Sequence, residues 1–280
     1  MTSNDILAPI AMLQGLWLLQ RTPRLAPPPG CAGRFGIGLG APLRVVGVGD
    51  SAIAGIGVRD LCCSITATYA RLLQRRMQRD VEWRVHGHNG ATSDVVLQNL
   101  APSVPLADIY LISVGVNDAT RGVKPRSYAA NLMRIVALLR RKSPQCAILF
   151  GGVPPLECFP ALPWPLRSVL ATRARHIQRA AVAVAARHER VFCFVFPPTM
   201  PASHFAGDGF HPAEYACECW ATGLLDLWPP ATTTAITTDA DASWTRPGDR
   251  QAPVRVAGRR AASRRADRGP DHAATRALRV

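Results

Sequence analysis

The stretch Leu43-Arg-Val-Val-Gly-Val-Gly49-Asp50-Ser51-Ala52 decides the fold. Its first seven residues form a short, β-branched-rich apolar run, and the chain then turns polar at Asp50 and Ser51. A run of that length and composition reads as a strand covered on both faces. Four more runs of the same kind follow, at 83–86, 109–114, 147–151 and 191–196, bounded by Gly, Pro or Asp. Between them lie helical patterns near 61–79, 93–100, 125–142, 165–188 and 212–228. Pro125 suits the first turn of its helix, where its missing N–H costs nothing. Alternating strands and helices predict an α/β protein with a parallel sheet between two helical layers. Such sheets carry their chemistry at the carboxyl ends of the strands.

Outward from this core the composition changes. Residues 1–42 combine an apolar segment, Ile6 to Leu19, with a Pro/Gly-rich linker, and residues 43–228 read as one domain. From Pro229 the chain turns to Pro, Thr, Ala, Asp and Arg without an apolar period. That tail cannot bury enough surface to offset its ordering entropy, so it is expected to be disordered. The apolar segment is too short to span a bilayer. Its acidic start lacks the basic residues of a signal peptide. The expected place is therefore cytoplasmic, as a helix packed on the domain. The alternative is weak membrane-surface contact through residues 6–25, with Arg21 and Arg24 near anionic headgroups.

The formal charge is +14, and residues 229–280 alone hold ten Arg against five Asp. The remainder reads as solvated helix faces. Aromatics are not interleaved with the basic tail, so no nucleic-acid partner is expected. The eight cysteines form no CxxC pair and no zinc-type spacing, so neither a metal site nor a disulfide framework is predicted.

The polar residues that follow the strands carry the functional argument. After the first run comes Gly49-Asp50-Ser51, after the second His88-Asn89-Gly90, and after the third Gly115-Val-Asn117-Asp118. Before the last helix comes Asp208-Gly-Phe-His211-Pro212. Acyl transfer needs a nucleophile, a base and donors for a developing oxyanion. Ser51 offers the hydroxyl and His211 the imidazole. Asp208, three residues earlier, can hold the other ring nitrogen. The amides of Ser51 and Gly90 and the side chain of Asn117 can donate to the oxyanion. Taken singly, each has a plainer reading. Ser51 is then a turn residue, Asn117 and Asp118 a cap, Asp208-Gly209 a turn, and Asp50 an orienting residue. Their occurrence together, each after its proper element, favours the site. Among the other histidines, His86, His176, His188 and His204 read as structural or exposed, and His88 is placed to line a cleft. Pro154, Pro155, Phe159 and Trp164 are candidates for an apolar wall or for stiffening their loop.

These four blocks resemble the SGNH (GDSL-type) hydrolases over about residues 43–215. The resemblance implies a three-layer α/β/α, flavodoxin-like fold with five parallel strands. It implies Ser51 as nucleophile, Asp208 and His211 as its catalytic partners, and Ser51, Gly90 and Asn117 as the oxyanion hole. It also implies an esterase of carboxylic or thio esters, acting on a small or lipid-like acyl ester without metal or cofactor. Ala52 departs from the leucine of the family name, at a position that is not itself chemical. An acyltransferase using the same site is the nearer alternative. A dinucleotide-binding domain is more remote: Gly47-x-Gly49-x-x-Ala52 fits its glycine pattern, but no acidic residue ends the second strand.

Overall fold

The computed structural model describes residues 13–14, 25–38 and 40–227. The readings of residues 1–12 and 15–24, and of the tail from 228 onward, lie outside the described residues. Within the apolar segment Gln14 is described. Its side chain donates to the Trp164 carbonyl at 2.8 Å and accepts from the Leu166 amide at 3.0 Å. Among the described residues no helix is long and apolar enough to cross a membrane.

The strands are β1 (Ala32–Phe35), β2 (Leu43–Gly49), β3 (Val81–Gly87), β4 (Ile109–Ser113), β5 (Ala147–Phe150) and β6 (Val191–Cys193). They form one sheet in the order β1-β3-β2-β4-β5-β6. β2 to β6 are all parallel, as the sequence predicts, and their order is flavodoxin-like. The sixth strand, β1, falls in the stretch read as linker and pairs antiparallel with β3. Side-chain chemistry holds it there. Arg34 donates to Asp80 Oδ2 from two nitrogens, at 3.1 and 2.6 Å, and the Ile37 and Gly38 amides donate to the same carboxylate. No hydropathy pattern announces such an anchor.

Six helices follow from the predicted patterns and the polar loops. They are α1 (Ile65–Met77), α2 (Ser93–Val95, continued by a π-helical turn Val96–Leu100), α3 (Val116–Thr120), α4 (Pro125–Lys142), α5 (Leu166–Ala185) and α6 (Glu214–Asp226). α3 is a short turn that periodicity does not reveal. The pleat sends alternate side chains to opposite faces. Val46, Val48, Tyr110, Ile112, Ile148 and Phe150 pack under α2, α4 and α5. Leu43, Val45, Ile109, Leu111, Ala147 and Leu149 pack under α1 and α6. Each fully buried Val, Leu or Ile contributes about 1.5–3 kcal/mol relative to exposure, so both faces are strongly held. Ser64 caps α1 by accepting from the Ala67 amide. Arg140, Arg141 and Lys142 end α4 where its dipole favours cations.

Two features position the site. Gly49 lies between Gly87 of β3 and Ser113 of β4, and a Cβ there would stand 1.9 Å from the Ser113 carbonyl oxygen. Only glycine lets the chain turn out of the sheet at that point. The second feature is a hairpin-like loop, 204–213, ahead of α6. It is closed by Ala206 N–H donating to the His211 carbonyl at 2.7 Å and Ala213 N–H to the His204 carbonyl at 2.9 Å.

Candidate active site

Ser51 follows β2 in a chain of turns, with the Ala54 amide donating to Asp50 O and the Ile56 amide to Ser51 O, both at 3.0 Å. No helix begins here, so the helix N-terminus that a pyrophosphate would need is not supplied at this loop. The Asp50 carboxylate accepts from the Ala52 amide and from Ser113 Oγ, each at 3.1 Å. Asp50 thus braces the turn and ties it to β4. Burial pushes its carboxyl up to about 7, against the lowering effect of those hydrogen bonds.

The second and third blocks grip one another. His88 to Ala91 form a hydrogen-bonded turn with Gly90 at φ +77°, a setting that favours glycine. The Gly90 carbonyl accepts from Arg121 at 3.0 Å. Asn117 Nδ2 donates to the Ala91 carbonyl at 3.0 Å, which fixes the amide and leaves its second proton to point elsewhere. The next residue, Asp118, is fully buried and takes the amide and hydroxyl of Ser93, the hydroxyl at 2.6 Å. Burial raises the Asp118 carboxyl and Ser93 opposes the rise. Adjacent side chains on α3 therefore hold both ends of segment 91–93. The amides of Ser51 and Gly90 donate to no acceptor among the described residues.

The fourth block forms the tip of the 204–213 loop. Asp208 Oδ1 accepts from the amides of Phe210 and His211, at 2.9 and 3.0 Å, and Oδ2 meets His211 Nδ1 at 2.5 Å. The Asp208 side chain is fully covered, and that of His211 is 14% exposed. Burial alone would raise the Asp208 carboxyl. The His211 ring and the two amides outweigh it and hold the group below its ordinary value.

Ser51, Asn117 and His211 all open onto one cavity of about 260 Å³. Asp208 stands behind His211, and neither it nor Gly90 lines the cavity. Of the proposed wall, Pro154 and Phe159 line the cavity, whereas Pro155 does not and Trp164 is 63% exposed. His88 is not a lining residue, and His204, read as structural or exposed, is one. Sequence reasoning also missed Phe194, Phe196, Phe210 and Trp220, which line it, whereas Phe205 belongs to the apolar loop around 197–207 that the sequence offers as a pocket wall. It missed Gly57, at φ +106°, where a Cβ would stand 2.5 Å from the Pro212 carbonyl oxygen and 3.0 Å from His211 Cβ. The one available hint was the Gly-x-Gly at 55–57 with no strand beside it.

A flavodoxin-like sheet with these four polar blocks gathered at its carboxyl edge defines the class of SGNH-type hydrolases. The family model for GDSL-like lipases and acylhydrolases matches residues 48–216, and the chain belongs to that family. No curated protein matches it. Solved structures share the fold. TesA is 22% identical with a TM-score of 0.50, covering 66% of this chain and 97% of its own. The lipase Lip_vut3 from a goat rumen metagenome is 15% identical with a TM-score of 0.53, covering 66% and 97%. A family 3 carbohydrate esterase from Clostridium thermocellum is 16% identical with a TM-score of 0.51, covering 67% and 95%.

Proposed function

We propose that the chain is a serine esterase that hydrolyses carboxylic or thio esters through an acyl-enzyme on Ser51. The observation that carries this reading is the convergence of Ser51, Asn117 and His211 on one cavity, with Asp208 bonded to the far nitrogen of the imidazole. Ser51 Oγ attacks the ester carbonyl carbon and gives its proton to His211 Nε2. Nδ1–H donates to Asp208, whose lowered pKa keeps it ionised beside the imidazolium. The amides of Ser51 and Gly90 and the second proton of Asn117 Nδ2 receive the oxyanion. Collapse breaks the ester C–O bond, or the C–S bond of a thioester, and His211 protonates the departing alcohol or thiol. A water then gives its proton to His211 and attacks the acyl carbon. Collapse of that intermediate returns the proton to Ser51 and releases the acid. None of these steps requires a metal or an organic cofactor.

Ser51→Ala is expected to lower turnover of p-nitrophenyl esters by several orders of magnitude, with the folded state intact by circular dichroism. Wild-type rates in that variant would overturn the assignment.

A further inference from the structure

The carboxyl ends of β2, β4, β5 and β6 stand side by side, and each contributes to the cavity: Ser51 after β2, Val114 after β4, Gly152 after β5 and Phe194 after β6. Three strand spacings of about 4.8 Å carry its floor roughly 14 Å from the strand of Ser51 to that of Phe194. The polar groups lie mostly at the β2 and β4 end. Of these, Asp50 and Ser113 are already bonded to each other. Toward β6 the walls are Phe194, Phe196 and Trp220, with ring centroids 4.9 and 5.1 Å apart in succession. The polar edge of Trp220 is spent, its Nε1–H donating to the Gly151 carbonyl at 2.8 Å. His204 also lines the cavity, with its ring against Tyr215. Glycines 151 and 152 let the floor close up. A Cβ would stand 2.8 Å from the Trp220 ring at Gly151, and 2.2 Å from the Phe194 carbonyl oxygen at Gly152.

Resting on the Ser51 reading above, we propose that this trough is an acyl-chain site, which selects esters of linear aliphatic acids over acylated sugars. A cavity of about 260 Å³ that also takes the ester group at its Ser51 end has room for an acyl chain of medium length, of which octanoyl is the trial case. A hydroxyl buried toward β6 without a partner would weaken binding about fivefold or more.

The test is a series of p-nitrophenyl esters from acetate to dodecanoate, with xylose tetraacetate as the sugar ester and n-alkyl acetates to vary the alcohol. Wild type, Ser51→Ala, Cys219→Phe and Phe196→Ala are compared. Cys219 is an exposed lining residue, so a larger ring there fills the trough without entering the core. In the wild type kcat/KM should rise about fourfold per methylene, the factor for 0.8 kcal/mol per buried CH₂, and level off near octanoate. The octanoate-to-acetate ratio should fall at least tenfold in Cys219→Phe. In Phe196→Ala the plateau should move to longer chains. A flat or falling profile, faster xylose tetraacetate turnover, or a rise that follows the alcohol chain would overturn the acyl trough while Ser51→Ala stays inactive. Full activity of Ser51→Ala on every ester would instead overturn the nucleophile itself.

Discussion

The amide of Asn117 has two protons, and the Ala91 carbonyl takes one of them. That bond is why a flexible side chain can serve as a fixed donor: its rotamer is set before any substrate arrives. Asn117→Ala is expected to lower kcat by about 10²–10³ and, by leaving the buried Ala91 carbonyl without its donor, to cost about 1–3 kcal/mol of stability, measured by ester turnover and urea titration. Gly57 acts through shape. Any side chain there meets the Pro212 backbone and the His211 Cβ at a positive φ. Gly57→Ala should therefore cost on the order of 1–3 kcal/mol and lower kcat more than it raises KM, as judged by urea unfolding and steady-state kinetics. The two residues differ in how far sequence reveals them. Asn117 sits in a recognisable block after a strand, and its residue type suits its task. Gly57 is required by a segment some 150 residues away, and no local pattern records such a contact.

Among the elements, α4 was legible at both ends, because its proline start, apolar stripe and basic finish all agree. β2 was equally plain. β6 was overread, since the apolar run continues to Phe196 while pairing stops at Cys193, and Phe194 and Phe196 turn into the cavity instead. β1 went unseen because four residues at an edge owe their place to Arg34 and Asp80 rather than to periodicity. The short α3 shows what an element contributes beyond its own residues. It presents Asn117 and Asp118 in succession, and Asp118 secures the start of α2 at Ser93. Asp118→Ala leaves a buried amide and hydroxyl without their acceptor, which should cost about 1–3 kcal/mol per group. The same change should loosen the Gly90 turn, so kcat should fall although the residue touches no substrate. Urea unfolding and ester kinetics on one preparation would check both effects.

At the scale of the molecule, two carboxyls near the nucleophile and base respond oppositely to pH. Asp50 is pushed up by burial to about 7. Its contribution is fully present below the ordinary value of 3.8 and is lost as pH rises through about 7. A displacement of about three pH units corresponds to at most about 4 kcal/mol. Asp208 is held below its ordinary value, so its contribution is present above that value and lost as pH falls through the lowered one. From these two groups stability should therefore peak near the ordinary carboxylate value of 3.8. Asp50→Asn should remove the decline between about pH 4 and pH 7, since an amide oxygen can still accept from Ala52 and Ser113. Thermal melts from pH 4 to 9 would show it, and an unchanged slope in the variant would refute the role of Asp50. The 204–213 hairpin has one more effect at this scale. Because Phe205 and Phe210 share that loop with Asp208 and His211, reshaping the cavity from this side disturbs the proton acceptor as well. Ala216 and Cys219 also line the cavity, from α6, outside the loop itself. Natural drift or deliberate redesign at those two positions can retune substrate preference while leaving the residues of the proton-accepting loop unchanged.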